Sequence, residues 1–240
     1  MTLDRTNVHT PKDPVVLDSG MSKTLHNGLE ILELLTRHPH GLNTTDIAIG
    51  IGVHRTVAHR LIRTLEAHRL CRRDDRKQIY LGAGLVTLAE PVEQDLRELA
   101  RAVLEELADS LESTTHLVVR EGAAEVRALI VTPPRSARPH ISFRPGQVDP
   151  INRGSAGLAM LAALPAQDGE RAEVARARQR GFAVTVGEVT PSITGISAVV
   201  PHRRAESLIS IGVSVFDSSN EEELGEAVIA AAQQLADLLR

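Results

Sequence analysis

The segment that most constrains this chain is residues 44–81, and its centre is a helical pattern over residues 53–67. Apolar side chains recur there at i, i+3, i+4 and i+7, which predicts a helix with one buried face. These side chains are Ala58, Leu61, Ile62 and Leu65. Polar side chains follow the same spacing on another face, namely Thr56, His59, Arg60 and Arg63. The pattern therefore predicts an amphipathic helix with a basic exposed face.

A short helix and a tight turn precede this amphipathic helix. Thr44, Thr45 and Asp46 are typical of a helix start, and Gly50 and Gly52 suit a tight turn. Two helices joined in this way form a helix-turn-helix, which delivers its second helix into the major groove of DNA.

Residues 70–81 predict a β-hairpin, because two short runs of strand-forming residues flank the polar residues 74–77. Residues 53–77 carry eight Lys or Arg against three Asp or Glu, whereas the whole chain has a net charge of −4. A basic helix face alone can be a merely solvated surface. Together with the turn and the basic hairpin, it indicates a winged helix-turn-helix.

We expect the exposed helix face to contact bases and the flanking cations to contact phosphates. The predicted groove-facing residues are Thr56, His59, Arg60 and Arg63. The predicted phosphate contacts are Arg55, Arg72, Arg73 and Lys77, and the DNA-binding set also includes Thr44 and Thr45 at the start of the first helix of the pair.

The composition fits one large domain or two ordinary ones, because 240 residues with 42% hydrophobic content can form sizeable cores. Residues 1–90 carry a net charge of +2 and residues 91–240 a net charge of −6, which favours two domains. The single cysteine, Cys71, excludes an intramolecular disulfide and a Cys-rich zinc site, as suits a reducing compartment. We find no signal peptide and no apolar run of membrane length, so we expect a cytoplasmic protein with no membrane partner.

The predicted organisation is a disordered tail over 1–20, a winged domain over 21–82, a linker helix over 83–90 and a second domain over 91–240. The first helix is expected over about 22–37, with Leu25, Leu29, Leu32 and Leu34 or Leu35 facing inward.

A long apolar period over residues 85–111 is interrupted by Pro91. Proline is tolerated in the first turn of a helix and disruptive inside one, so we expect a short linker helix over 84–90 and a longer one over 91–112. The apolar linker can pack against its copy in a second subunit, or against the second domain of the same chain.

Residues beyond Thr114 predict a separate α+β domain with an antiparallel sheet. Strands are expected over 116–120, 126–131, 141–143, 182–186, 193–200 and 208–216. Helices are expected over 153–164, 168–180 and 220–239.

Residues 149–157 form the most suggestive site of this second domain. Small residues at a helix start expose N–H groups that suit a carboxylate, although such glycines can also serve close packing alone. Enzyme motifs are incomplete: Gly154, Ser155 and Gly157 lack the glycine of a nucleophile elbow, since Arg153 occupies that position. His116, His140 and His202 lack metal-ligand spacing, so no metal, cofactor or catalytic residue is predicted.

Three stretches resemble the IclR family of bacterial transcriptional regulators. Residues 52–62, GVHRTVAHRLI, are similar to its recognition-helix segment, where GLPKSTVHRLL is usual. Residues 29–35 resemble the first helix of that family, and residues 80–82 resemble the end of its wing. His54 stands where proline is common, and Val57 stands where threonine is common.

The resemblance extends from about residue 23 to the C-terminus and implies a winged domain joined to a GAF-like effector-binding domain. It also implies binding to double-stranded operator DNA as a homodimer or a dimer of dimers, and control by a small effector, often an organic acid. The implied effector-binding residues, with the amides of Ser155 and Ala156 among them, are Ile141, Asp149, Ser155, Ala156, Thr185, Ile193, Gly195, Ser214 and Phe216.

Several of these positions differ from those of family members that bind small keto acids. Those members place Asp at the position of Thr185, Cys at Gly195, Ser at Phe216 and an apolar residue at Asp149, so a larger or partly aromatic ligand is expected here. The sequence thus predicts a ligand-responsive transcriptional regulator and no enzyme. The alternatives are a small-molecule enzyme with an appended winged domain, and a winged module that serves only protein contacts.

Overall fold

The computed structural model describes residues 17–136, 144–201, 208–216 and 219–240 of the 240-residue chain. Its contacts divide the chain into two units, with the division between Gln94 and Asp95. Most of the predicted tail and the predicted strand over 141–143 lie outside the described residues.

The N-terminal unit is built, as far as it is described, from helices and one short antiparallel hairpin. Its elements are α1 (Lys23–Thr36), α2 (Thr44–Gly50), α3 (Arg55–Ala67), β1 (Cys71–Arg73), β2 (Ile79–Leu81) and α4 (Gly84–Ala89). Strands β1 and β2 pair antiparallel, and Leu42 extends the pairing through a bridge to Ile79. This is a winged helix-turn-helix, as the sequence predicted.

The core of this unit gathers one face of each of the helices α1, α2 and α3. Ile31, Leu34 and Leu35 of α1 pack with Ile47 of α2 and Ile62 of α3. The thiol of Cys71 is also buried there, and burial, followed by the nearby charge of Glu66, raises its pKa to about 11.

The buried face of α1 differs from the predicted one. Leu25 and Leu29 are 63% and 50% exposed, although both were expected to face inward. Apolar residues cover two faces of α1, and the buried face is the one that carries Ile31, Leu34 and Leu35. The helical spacing was therefore compatible with two buried faces, and the packing buries the one that was not predicted.

The C-terminal unit combines helices with a six-stranded antiparallel sheet. Its elements are α5 (Gln94–Ser110), β3 (Thr114–Glu121), β4 (Glu125–Thr132), β5 (Val148–Pro150), α6 (Gly154–Ala162), α7 (Ala172–Arg180), β6 (Ala183–Val186), β7 (Thr194–Val199), β8 (Ile209–Val215) and α8 (Glu221–Leu238). The strand order is β5-β4-β3-β8-β7-β6. The short strand β5 was not predicted, and α5 and α7 begin three and four residues later than expected.

Helices cover both faces of this sheet. Successive strand residues point to opposite faces, so Leu117 packs with α5 and α8 on one side while Val118 packs with Met160 of α6 on the other. The start of α6 thereby lies against the sheet. Of the helices that the structure describes, none has the length and apolarity needed to cross a membrane.

Candidate functional site

Helix α3 presents a continuous polar face to solvent. Ala58 and Ile62 are fully buried, and the four predicted groove-facing residues, Thr56, His59, Arg60 and Arg63, are exposed. Arg55, in the first turn, is exposed as well. The exposed face is rich in donors and in positive charge, which suits the major groove.

Histidine caps the start of α3. Nδ1 of His54 accepts from the Thr56 amide at 3.4 Å and lies 2.8 Å from the Thr56 hydroxyl. The preceding helix α2 is capped by Asn43, whose Oδ1 accepts from the amides of Thr45 and Asp46 at 2.9 and 3.0 Å. Helix α2 begins at Thr44, within the predicted helix start, and Thr44 is half-buried while Thr45 is exposed.

The hairpin is held by side chains as well as by its backbone. The guanidinium of Arg72 lies over the Tyr80 ring, 4.3 Å from its centre, and the Tyr80 hydroxyl donates to Asp74 at 3.1 Å. Nε of Arg73 donates to Oε1 of Glu66 on α3 at 3.0 Å. Lys77, at the turn, has a φ of +63° and an exposed side chain. Arg73 is thus turned toward α3, whereas Lys77 points its charge into solvent.

A cavity lies between the start of α6 and the sheet, and it encloses about 550 Å³ including its open mouth. Seven predicted effector residues line it: Asp149, Ser155, Ala156, Thr185, Ile193, Gly195 and Ser214. Ile141 lies outside the described residues. Phe216 is 62% exposed and does not line the cavity, because β8 ends at Val215 and its alternation stops there.

A chain of buried polar groups runs behind the cavity wall. The Ser155 and Ser197 hydroxyl oxygens are 2.8 Å apart, and Nε2 of His116 lies 3.3 Å from the Ser197 oxygen. Burial lowers the pKa of His116 to about 4, so its imidazole is neutral at neutral pH. A Cβ at Gly212, opposite His116 in the sheet, would lie 2.2 Å from the Ser197 oxygen, so glycine makes room for this network.

Asp149 places a buried carboxylate on the cavity wall. It lies on the edge strand β5, opposite Val126, and only 6% of it is exposed. Among the described residues, the Asp149 carboxylate has one hydrogen bond, which Nε2 of Gln147 donates to Oδ2 at 2.8 Å.

A carboxylate from the chain itself caps the start of α6. Oε2 of Glu188 accepts from the Gly154 amide at 2.8 Å, and Oε1 accepts from Arg171 at 2.7 Å. The Arg171 hydrogen bond, helped by the Gly154 amide and opposed by burial, lowers the pKa of Glu188. Arg153 donates through Nε to the Glu188 carbonyl at 2.7 Å. Close packing also matters here, since a Cβ at Gly157 would lie 2.1 Å from the Ile151 carbonyl oxygen.

His116, Ser197 and Glu188 lie at or beside the cavity and were not predicted there, whereas Arg153 belongs to the predicted site over residues 149–157. The strand register that sets His116 opposite Gly212, and the hydrogen bond between positions 154 and 188, join residues far apart in the chain. In the part of the chain that the structure describes, no group of three or more His, Cys, Asp or Glu is placed to hold a metal ion. His140 and His202 lie outside that part.

Comparison with known proteins gives a family match for the N-terminal unit. Residues 24–75 match the family described as the IclR helix-turn-helix domain. Along most of its length the chain is similar to the glycerol operon regulatory protein of Streptomyces coelicolor, with 27% identity over 89% of this chain and 93% of that protein.

Solved structures share the fold. An IclR transcriptional regulator from Alicyclobacillus acidocaldarius aligns with a TM-score of 0.77 and 21% identity, over 92% of this chain and 100% of that chain. An IclR homologue from Microbacterium hydrocarbonoxydans, solved in complex with 4-hydroxybenzoate, aligns with a TM-score of 0.75 and 20% identity, over 90% of this chain and 99% of that chain.

Proposed function

This chain belongs to the IclR family of transcriptional regulators through its helix-turn-helix domain, and on that premise we propose that it regulates transcription by binding operator DNA under the control of a small molecule. The observation that carries the DNA-binding half is the exposed polar face of α3 beside a basic wing.

The proposed contacts divide by position. Thr56, His59, Arg60 and Arg63 face the major groove and read bases. Arg55, Arg72, Arg73 and Lys77 lie on the flanks or the wing and contact phosphates, with Thr44 and Thr45 at the start of α2 completing the set. Local charge supports this division, because the cations cluster here in a chain whose net charge is −4.

A gel-shift assay tests this half directly. Duplex fragments from upstream of the gene for this chain and of its neighbours are incubated with purified protein at several salt concentrations, with and without competitor DNA. Retarded bands that persist against competitor establish a specific operator. Binding that competitor abolishes reduces the basic surface to nonspecific attraction, and the absence of any salt-dependent binding favours a module for protein contacts.

We also propose that the protein acts as a homodimer or a dimer of dimers. The N-terminal unit exposes apolar side chains on α1, Leu25 and Leu29, and on α4, Val86 and Leu88. No residue of α4 is buried within the unit. Apolar stretches of this kind are favourably covered by a second subunit, and a dimer would match an operator with two half-sites.

The cavity beside α6 is the proposed effector site. Its wall mixes apolar side chains with a few polar ones, as the walls of small-molecule pockets do. The similar proteins differ in the small molecules associated with them: one regulates a glycerol operon, and another was solved with bound 4-hydroxybenzoate. The residues of this cavity must therefore indicate the ligand class.

The effector is proposed to alter the spacing of two winged domains through α4 and α5. Such a shift requires that the ligand bind one arrangement of the dimer more tightly than the other. Adding ligand to the gel-shift assay measures this coupling, and a ligand that binds without changing DNA affinity would contradict it.

An enzymatic role has one observation in its favour, the contact between His116 and Ser197. That serine is fully buried and does not line the cavity, and a histidine with a pKa of about 4 is a weak base at neutral pH. We therefore propose that the cavity binds its ligand without converting it. Turnover of a bound compound by the purified protein in the absence of DNA would favour the enzyme instead.

A further inference from the structure

The residues that line the cavity indicate the chemical class of the effector, which rests on the proposed role of the cavity as the effector site. Asp149 carries a carboxylate that is 6% exposed and lines the cavity. Gln147 supplies one donor to Oδ2, and no other described residue is bonded to this carboxylate. A buried carboxylate is costly unless donors surround it, so an occupant of the cavity gains most by bringing O–H or N–H groups to Asp149.

The positive end of α6 is occupied in part by a carboxylate of the chain itself. Its first amide, at Gly154, already donates to Glu188, whose carboxylate also pairs with Arg171. The favourable field of a helix start is largely offset by such a neighbouring anion. A ligand carboxylate would therefore meet the Asp149 carboxylate on the cavity wall, while the Glu188 carboxylate holds the first amide of α6.

A cationic ligand is disfavoured by the same wall. Arg153 lines the cavity, and its Nε donates to the Glu188 carbonyl oxygen at 2.7 Å. The cavity thus holds an obligate acceptor, Asp149, and an obligate donor, Arg153. A hydroxyl group is the simple neutral group that donates to the first and accepts from the second.

Further hydroxyl groups continue this polar lining. Ser155, Ser214, Thr185 and Thr190 line the cavity, and each both donates and accepts. None of the described lining residues is Phe, Tyr or Trp, and the one aromatic ring among them is the imidazole of His116. We propose that the effector is a neutral polyhydroxyl compound whose hydroxyl groups donate to Asp149 and accept from Arg153.

The test uses full-length protein and sets of compounds that share a carbon skeleton and differ in charge. One set is glycerol, glycerate and 3-amino-1,2-propanediol; a second is sorbitol, gluconate and 1-amino-1-deoxysorbitol; a third is 4-hydroxybenzyl alcohol and 4-hydroxybenzoate. Binding is measured by the shift in thermal unfolding and then by calorimetry. The neutral compound is expected to bind most tightly within each set, and the two neutral polyols more tightly than 4-hydroxybenzyl alcohol.

Asp149→Asn is expected to weaken polyol binding by about tenfold or more, because a charge-assisted hydrogen bond becomes a neutral one. The matched control is Asp168→Asn, the same chemical change at an exposed loop position outside the cavity. Far-ultraviolet circular dichroism of both variants establishes that each is folded.

Three outcomes overturn the proposed class. A carboxylate that binds wild type more tightly than its matched alcohol shows an anion-selective cavity, and the cavity then remains an effector site. Unchanged polyol binding in Asp149→Asn removes Asp149 from recognition. If none of these compounds binds at millimolar concentration, the polyhydroxyl class is wrong, and the gel-shift assay decides separately whether the regulator stands.

Discussion

Arg73 on the wing and Glu66 on the recognition helix form a salt bridge, with Nε and Oε1 3.0 Å apart. The pair joins β1 to α3, so the wing and the groove-facing helix are held to one another by side chains as well as by the chain between them. It also reduces the positive charge that Arg73 offers to a phosphate.

This pairing predicts unequal roles for two wing cations. Lys77→Ala is expected to weaken binding to all duplexes alike and to reduce the slope of log affinity against log salt by about one. Arg73→Ala is expected to reduce the slope by less, because Glu66 already partners it. Glu66→Gln releases Arg73 and is expected to steepen the slope. Equal slopes for Lys77→Ala and Arg73→Ala would contradict this division of roles.

Arg60 is the sharpest test of base reading. If its exposed guanidinium contacts a guanine, Arg60→Ala costs about 1–3 kcal/mol of binding free energy and relaxes specificity at one base position. Affinities for a set of operators, each changed at one base pair, measure both effects. Arg101→Ala, an exposed arginine of α5, is the control. An equal loss on every sequence would make Arg60 a phosphate contact instead.

The exposed apolar side chains of the N-terminal unit predict where subunits pair. Val86, on α4, is 74% exposed, and Val86→Glu is expected to convert the proposed dimer to a monomer, because a buried carboxylate opposes association. Light scattering over a range of protein concentrations measures the mass. Val186→Glu, the same change at a valine that is 68% exposed on β6, is the control and is expected to leave the dimer intact. A dimer in both variants would place the interface elsewhere.

His116 predicts a loss of stability in acid. Its folded pKa of about 4 lies below the ordinary 6.5, so between those values the unfolded chain binds the proton more readily. The contribution of neutral His116 to the free energy of unfolding is therefore complete above pH 6.5 and decreases as the pH drops toward 4. At that lower pH, the free energy of unfolding is expected to fall by roughly 3 kcal/mol more in wild type than in His116→Gln. Denaturant titrations at several pH values measure this difference, with His59→Gln, at an exposed histidine, as the control. Parallel pH profiles of unfolding free energy for wild type and His116→Gln would show that His116 does not cause the loss of stability in acid.

Glu188 predicts a gain of carboxylate binding. Glu188→Gln retains an oxygen that can cap Gly154 but removes the negative charge at the start of α6, so 4-hydroxybenzoate is expected to bind the variant more tightly than it binds wild type. Glu173→Gln is the matched control, since Glu173 also pairs with Arg171 and has no hydrogen bond to Gly154. Calorimetry on both variants decides; an equal gain in the two would assign the effect to the freed Arg171.

The winged unit was predictable from the sequence because its signals are local. The polar and apolar faces of α3, the glycine turn and the charged hairpin each lie within a few residues. The buried face of α1 was not predictable in this way, because Leu25 and Leu29 have the same helical spacing as the residues that the packing buries. Strand β5 was missed because Val148–Pro150 is short and contains an aspartate and a proline, which are uncommon in strands.

The cavity was predictable only in part. Its position beside the start of α6 and seven of its residues came from the resemblance to the IclR family. Its polar character depends on pairs distant in sequence: the hydrogen bond between Gly154 and Glu188, and the Ser155, Ser197 and His116 contacts. Pairs of this kind depend on how α6 packs on the sheet and on the register of the strands, and no local pattern in the chain encodes them.

The buried thiol of Cys71 makes this chain convenient for spectroscopy. Maleimides and similar reagents attack thiolates, and a thiol whose pKa is about 11 contributes very little thiolate at neutral pH. A cysteine introduced at an exposed wing position, such as Lys77→Cys, can therefore carry a spin label or a fluorophore while Cys71 stays unreacted. The distance between two such labels in a dimer, recorded before and after adding ligand, would report the spacing of the two wings directly.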